Sequence, residues 1–162
     1  MDSLMEIREI SSTEISLLDH FLYEAIFVRE GQEKPDKKIL DIPELSRYIK
    51  DFGNKTDLCL VADLKGEIIG AIWARIFSEN EKGFGYVDSK TPELSMSVDK
   101  DFRQQGVGTE LLKAMISKLT RLNYEQVSLS VDKQNYAYKL YEKLGFNTVK
   151  SDEKSAVMLK QL

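Results

Sequence analysis

The chain has 162 residues, of which 42% are apolar and 31% charged, the balance of one globular domain with a real core. Its 23 Lys and Arg and 27 Asp and Glu give a net charge of -4, and the two signs are interspersed, so no phosphate-binding surface for nucleic acid is indicated. Apolar runs fall short of the roughly 20 residues of a membrane span, and Met1 to Met5 lacks the basic-then-apolar order of a signal peptide. We therefore expect a single cytoplasmic domain over residues 1–162, with no nucleic-acid or membrane partner.

The first quarter of the chain predicts one strand and one helix. Residues 5–10 alternate between apolar and polar, as a strand does, and Ser11 with Glu14 forms a capping box. Apolar residues at helical spacing then extend the helix to about Val28. The charged segment 29–41 is typical of a loop.

A short helix and a hairpin follow. Pro43 suits the first turn of a helix over 44–51. Residues 58–64 and 67–77 are β-rich runs, and the Lys65-Gly66 pair between them indicates a hairpin.

The second half predicts strands that alternate with helices. A strand over 94–98 precedes the clearest helix, and a strand over 127–131 precedes a helix that Asn135 can cap. Short β runs end the chain. The apolar face of the first of these helices consists of Leu111, Leu112, Met115, Leu119 and Leu122.

The connection after Val98 is typical of an anion site. A strand ends, a loop with Gly106 and Gly108 follows, and a helix begins at once, so backbone amides and the positive end of the helix dipole converge. A side chain at either glycine would hold a pyrophosphate away from those amides. The alternative is that the glycines only permit a tight turn. The spacing excludes a P-loop and also the dinucleotide fingerprint, which needs a third glycine where Leu111 stands.

Two motifs carry a family resemblance. Arg103-Gln104-Gln105-Gly106-Val107-Gly108 resembles the Arg/Gln-x-x-Gly-x-Gly/Ala acyl-CoA signature of the GNAT N-acetyltransferases. The stretches Ser128 to Asp132 and Asn135 to Phe146 resemble the late strand and helix of the same family. The N-terminal half matches only in the order of its elements.

The resemblance implies a mixed α/β fold whose mostly antiparallel sheet splays open beyond Val98, with the pantetheine arm of acetyl-CoA in the gap. It also implies direct transfer of the acetyl group to an amine, with acetyl-CoA as cosubstrate and no metal. Main-chain groups of Met96 and Val98 would bind the pantetheine, and Asn135 and Tyr138 would line the opposite wall. The pyrophosphate would be held by the backbone amides of Arg103, Gln104, Gln105, Gly106, Gly108 and Thr109.

An amine that is protonated at neutral pH must lose a proton before it attacks a thioester. Glu93 resembles the position where several family members place a catalytic carboxylate, and strand alternation puts it on the face opposite Leu94. A solvated charge at a strand end is the alternative. Asp88, Tyr86 and Glu24 are competing bases.

Tyr141 lies on the apolar face of the last predicted helix. The resemblance makes its hydroxyl a candidate acid for the departing CoA thiolate, and the alternative is a core tyrosine. Tyr23 and Glu24, on the polar side of the first helix, are candidates for the acceptor wall or for a solvated face.

The acceptor is left open by the sequence. A small-molecule or peptide amine is expected, and the protein could be a monomer or a homodimer. A non-catalytic acyl-CoA sensor and a nucleotide-binding module are the alternatives. Cys59 and His20 are each the only residue of their kind, which argues against a metal site or a disulfide within the chain.

Overall fold

Seven strands form one sheet in residues 4–162, the part of the chain that the computed structural model describes. Met1, Asp2 and Ser3, part of the start tested above for a signal peptide, lie outside the described residues. The strands are β1 (Met5–Glu9), β2 (Leu58–Leu64), β3 (Glu67–Arg75), β4 (Glu93–Val98), β5 (Gln126–Asp132), β6 (Asn147–Ser151) and β7 (Ser155–Gln161).

The sheet has the order β1-β2-β3-β4-β5-β7-β6, and every pair is antiparallel except β4 with β5. That parallel pair requires a crossover, which the helix between the two strands provides. The mixed α/β fold with a mostly antiparallel sheet is thus confirmed.

Four α-helices flank the sheet: α1 (Leu18–Ala25), α2 (Pro43–Ser46), α3 (Val107–Arg121) and α4 (Ala137–Lys143). Three 3-10 turns occupy Ser12–Leu17, Lys37–Asp41 and Lys100–Phe102. None of the helices in residues 4–162 has the length and apolar character of a membrane span.

The predicted ends of the first two helices are wrong. The capping box at Ser11 is present, but it opens a 3-10 turn, and α1 ends at Ala25 because Ile26 adopts an extended conformation. The second helix closes after one turn, at Ser46, although turns continue to Asp51. In both places the chain leaves helical geometry to run beside the sheet.

Strand alternation divides the core into two clusters. Leu94 and Val98 of β4 belong to the cluster beneath α3 and α4, whereas Ser97 on the other face donates a 2.7 Å hydrogen bond to the Phe21 carbonyl of α1. Leu122, predicted on the buried stripe, is half exposed because α3 ends one residue before it.

The sheet splays between β4 and β5. The two strands share one register pair, Glu93 with Ser128, and the Ser128 amide donates to the Pro92 carbonyl. On its other side β4 pairs with β3 along its whole length, from Glu93 to Val98. Beyond Glu93, the edge of β4 that faces β5 therefore has free backbone groups, as the resemblance implied.

Candidate active site

The turn before α3 places uncapped amides at the open end of the splay. Gln104 and Gly106 both have left-handed backbones, with φ of 60° and 88°, and no side chain caps the helix. The first hydrogen bond of the helix runs from the Glu110 amide to the Gly106 carbonyl. The amides of Val107, Gly108 and Thr109, which come before it, therefore have no partner within the helix. A helix of this length adds the dipole that favours an anion there.

Gly108 faces a cleft and not a tightly packed neighbour. A methyl group built on it would come no closer to protein than 3.5 Å, to Cε of Met96, which is ordinary contact. Protein packing therefore does not require glycine here. The cleft beside it, of about 470 Å³, is called the turn cleft, and its basic members are Lys34, Lys100 and Arg103.

A second cavity of about 290 Å³, called the Glu93 pocket, lies toward the closed end of the splay. The two cavities share lining residues from three parts of the chain, so they adjoin. The shared residues are Ala25, Ile26, Phe27, Met96, Asn135 and Tyr141.

Glu93 is buried by its strand neighbours and by the segment before β4, since only 3% of the residue is exposed. Its Oε2 accepts a hydrogen bond from the Tyr48 hydroxyl, and Oε1 has no hydrogen-bond partner among the described residues. Burial raises the pKa of Glu93 from 4.5 to about 7, although the Tyr48 hydroxyl and the nearby Gly85 amide oppose that shift. A pKa close to neutrality suits a group that must accept a proton at physiological pH.

Tyr48 is held in place by groups that are distant from it in sequence. Trp73 of β3 donates from its indole nitrogen to the Tyr48 carbonyl at 3.1 Å, and the Phe84 amide donates to the Tyr48 hydroxyl at 2.7 Å. Burial, followed by the charge of Glu93, raises the pKa of Tyr48, so its hydroxyl stays protonated and donates to the carboxylate.

The segment that carries Tyr48 is fixed by Arg75, which pairs with Glu93 in register across β3 and β4. The Arg75 guanidinium binds both carboxylate oxygens of Asp57 at 3.1 Å and donates to the carbonyls of Arg47 and Lys50. Its charge is thus compensated by Asp57 and is not directed at Glu93.

Two glycines let the segment before β4 cover the carboxyl. A methyl group on Gly83 would collide with Oε1 of Glu93 and lie 2.7 Å from the Tyr48 hydroxyl. One on Gly85 would lie 2.5 Å from the carbonyl carbon of Leu129 in β5. The Gly-x-Gly spacing at 83–85 is the sequence signal for this close approach.

Tyr141 lines both cavities from α4. It is 8% exposed and packs on Phe146, with ring centroids 5.7 Å apart, and its hydroxyl makes no hydrogen bond within residues 4–162. Burial raises its pKa, so the hydroxyl is neutral. A hydroxyl without a protein partner, on a residue that lines two cavities, differs from that of an ordinary core tyrosine, which is usually paired.

Other residues named from the resemblance lie in different surroundings. Asn135 lines both cavities and accepts from the Ala137 amide at 2.9 Å. Tyr138 is not among the lining residues: its hydroxyl lies 3.1 Å from the Thr148 hydroxyl, and Tyr136 and Leu140 take the wall instead. The Tyr138 side chain thus reaches Thr148 of β6, although Tyr138 and Tyr141 are only three residues apart in the helix.

Five of the six residues predicted to bind the pyrophosphate line the turn cleft, and Gln105 does not. Gln104, Gly106, Gly108 and Thr109 line the turn cleft, as does Arg103, whose Nε donates to the Val98 carbonyl at 2.8 Å. The Arg103 amide is engaged with the Lys100 carbonyl at 3.4 Å, and Gln105 turns its side chain to the Asp101 carbonyl.

The competing bases are placed less favourably than Glu93. Asp88 and Tyr86 line neither cavity, and hydrogen bonds from Thr91 and the Lys90 amide lower the pKa of Asp88. Glu24 lines the turn cleft but pairs with Lys34 at 3.1 Å and lies 3.7 Å from Arg103.

The known proteins that this chain resembles are acetyltransferases. Residues 21–146 match the model of the acetyltransferase (GNAT) family. An N-alpha-acetyltransferase of Sulfolobus acidocaldarius is 37% identical over 108 residues, which are 64% of this chain and 62% of that protein. A mycothiol acetyltransferase of Propionibacterium freudenreichii is 30% identical over 108 residues, 66% of this chain and 33% of that protein. The matched region thus spans less than two thirds of these relatives.

Solved structures share the fold at low identity. A GNAT-family acetyltransferase from Streptococcus pneumoniae superposes with a TM-score of 0.71 at 19% identity, covering 98% of this chain and 99% of that one. The PaiA N-acetyltransferase of Thermoplasma acidophilum, in complex with coenzyme A, superposes with a TM-score of 0.68 at 22% identity, and both chains are covered completely.

Proposed function

Because this chain belongs to the acetyltransferase (GNAT) family, we propose that it is an enzyme that transfers the acetyl group of acetyl-CoA to a primary amine. The observation that carries the proposal is the meeting of two cavities at Met96 and Tyr141. One cavity begins at uncapped helix amides, and the other contains a carboxyl group whose pKa is about 7. A two-substrate transfer needs such a pair of adjoining sites.

Binding of acetyl-CoA would use the turn cleft. The amides of Gly108 and Thr109 would hold the pyrophosphate, and Lys100 and Arg103 would add positive charge. The free edge of β4 around Met96 would pair with the pantetheine arm, whereas the Val98 carbonyl already accepts from Arg103. The coenzyme A complex of the Thermoplasma acidophilum neighbour supports this cosubstrate.

In the transfer step Glu93 accepts a proton from the amine, and the nitrogen then attacks the thioester carbonyl. A carbon–nitrogen bond forms, the carbon–sulfur bond breaks, and the thiolate takes a proton from the Tyr141 hydroxyl. The nitrogen then loses its second proton, which restores the Tyr141 hydroxyl, and Glu93 releases the first proton to solvent. The unpaired state of that hydroxyl leaves it available for this donation.

The test combines turnover with binding. Release of free CoA thiol is measured with acetyl-CoA and a panel of primary amines, and the melting temperature is measured with and without CoA. The parent should release thiol and be stabilised by CoA. Gly108→Glu should abolish the stabilisation, because it places a negative charge in the turn cleft, whereas Ser117→Glu, on the exposed side of the same helix, should keep it.

Each outcome separates the alternatives. Stabilisation by CoA without thiol release from any amine would indicate a non-catalytic acyl-CoA sensor. Equal stabilisation by ATP and CoA would indicate a nucleotide-binding module. An undiminished CoA effect in Gly108→Glu would mean that the turn does not bind the pyrophosphate.

A further inference from the structure

We infer that the acceptor is a small primary amine that carries one apolar group, and that this group packs in the Glu93 pocket against Phe27, Leu45 and Phe84. The inference rests on the proposed function and specifies its acceptor.

The Glu93 pocket has two chemically different sides. The strands contribute most of the polar residues, Glu93 and Ser95 from β4 and Ser130 and Asp132 from β5, together with the apolar Leu94, Met96 and Val131. The opposite side is built from α1, the residues after it, α2 and the segment before β4, and it is apolar. That side contains Leu22, Ala25, Ile26, Phe27, Leu45 and Phe84. An occupant that satisfies both sides is itself polar at one end and apolar at the other.

The polar side holds one carboxylate that has no cationic partner in residues 4–162. Asp132 is paired, since Arg29 donates to both of its oxygens at 3.0 Å. Glu93 has one oxygen bound by Tyr48, and its Oε1 is enclosed beside Gly83. A buried carboxylate without a cation is costly when ionised, and an ammonium group in the pocket would lower that cost. One such carboxylate matches one ammonium group, which favours a monoamine over a polyamine.

The apolar side is unusually exposed at its rim. Phe84 is 59% and Phe27 36% exposed, although both line the pocket. The Phe84 ring is stacked on the buried Tyr48 ring, with centroids 6.2 Å apart and an interplanar angle of 16°. The Phe84 ring therefore packs on Tyr48, the residue that binds Glu93. An apolar group of the acceptor that covers the Phe84 ring would lie beside the reacting amine.

The size of the pocket sets a limit on that group. A volume of about 290 Å³ is at the lower end for ligand pockets, so it accommodates a group the size of one amino-acid side chain. Large polyhydroxylated amines do not match either the volume or the apolar side.

The test is a comparison of amines of matched chemistry in the thiol-release assay. Leucinamide should exceed glycinamide in kcat/KM by about 10-fold or more, which is the usual gain from one apolar group in an apolar pocket. Butylamine should likewise exceed 1,4-diaminobutane, because the second ammonium group has no free carboxylate to meet.

Variants then locate the selectivity. Phe84→Ser should lower the ratio of leucinamide to glycinamide by about 10-fold, and Phe27→Ser should lower it in the same direction. Val149→Ser, at an equally exposed apolar position on β6, should keep the parental ratio. Melting temperatures establish that each variant is folded.

A ratio near one in the parent, or an unchanged ratio in both phenylalanine variants, would overturn the inference and leave the proposed function standing. Absence of thiol release with every amine would instead overturn the proposed function. The two failures are therefore distinguishable.

Discussion

Replacing Glu93 by Gln should make the protein more stable in alkali and less active at neutral pH. The carboxyl is 3% exposed and has one unpaired oxygen, so the folded protein disfavours its ionised form. Glutamine keeps the size of the side chain and can still accept from Tyr48. The substitution therefore removes the charge with little change in packing.

The magnitude follows from the pKa. The pKa of Glu93 rises from 4.5 to about 7 on folding, and each unit corresponds to about 1.4 kcal/mol. The folded protein keeps its proton between these values while the unfolded chain loses it, so stability falls as the pH rises through that window. The parent should thus be about 3 kcal/mol less stable at pH ~8 than at pH ~4, through this group alone. The variant lacks this loss.

Urea unfolding gives the free energy of unfolding of the parent and of the variant at both pH values. A packing change shifts the variant equally at both pH values, so it cancels when the two pH dependences are compared. Glu14→Gln is a matched control, because the pKa of Glu14 is shifted in the opposite direction. The hydrogen bonds from Arg8 and the Ser11 amide lower the pKa of Glu14 to about 2, so its carboxylate stabilises the fold above pH ~4.5, and this contribution is lost as the pH falls through about 2. Glu14→Gln should therefore be destabilised at pH ~8, where Glu93→Gln is stabilised.

Two results would refute the reasoning. Identical pH dependence of stability in the parent and in Glu93→Gln would mean that the carboxyl is not desolvated in the folded protein. In the thiol-release assay, Glu93→Gln should be slow at neutral pH and approach the parent in alkali, where the amine is already neutral. Parental rates at every pH would mean that another group accepts the proton.

Two further substitutions test residues around the reacting atoms. Tyr48→Phe removes a hydrogen bond that lowers the pKa of Glu93, so the acidic limb of the kcat/KM profile should move to higher pH; a profile that is lowered uniformly without moving would make Tyr48 purely structural. Tyr141→Phe should slow transfer by about 10- to 1000-fold with an unchanged melting temperature, because the hydroxyl has no protein partner to lose. A loss of about 1 kcal/mol in stability at parental turnover would instead assign Tyr141 to the core.

The parts of the site that lie close together in the chain could be predicted from the sequence. Gly106 and Gly108, the helix after them and the free edge of β4 belong to one continuous stretch, and local rules of turns, helix ends and strand alternation apply to it directly. The structure has the predicted strand alternation, in which Glu93 and Leu94 lie on opposite faces of β4. The positions of helix ends were less predictable, because α1 ends where Ile26 turns to cover the cleft and not at a breaking residue.

The partner of Glu93 could not be predicted in this way. Tyr48 is 45 residues away in sequence and lies in turns with no periodic pattern, and its position depends on hydrogen bonds from Trp73 and to Glu93. Such long-range pairings leave no local signal. Gly83 and Gly85 were visible as glycines, but only the assembled sheet shows that one approaches a carboxyl and the other a strand backbone.

The single register pair between β4 and β5 would keep the proposed base apart from the proposed anion site and connect them along one strand. Glu93 sits at that pair, where the strands still touch, and the turn at Gly106 and Gly108 lies past the other end of β4. At roughly 3.3 Å per residue, β4 extends about 17 Å from Glu93 to Val98, and beyond Glu93 this edge does not pair with β5. A thioester carried on a chain anchored at the turn must follow that edge toward Glu93, past Met96 and Tyr141, which line both cavities. In the proposed reaction, the splay would place the anion, the extended chain, the thioester and the amine in that order along β4, with the amine at the closed end beside Glu93.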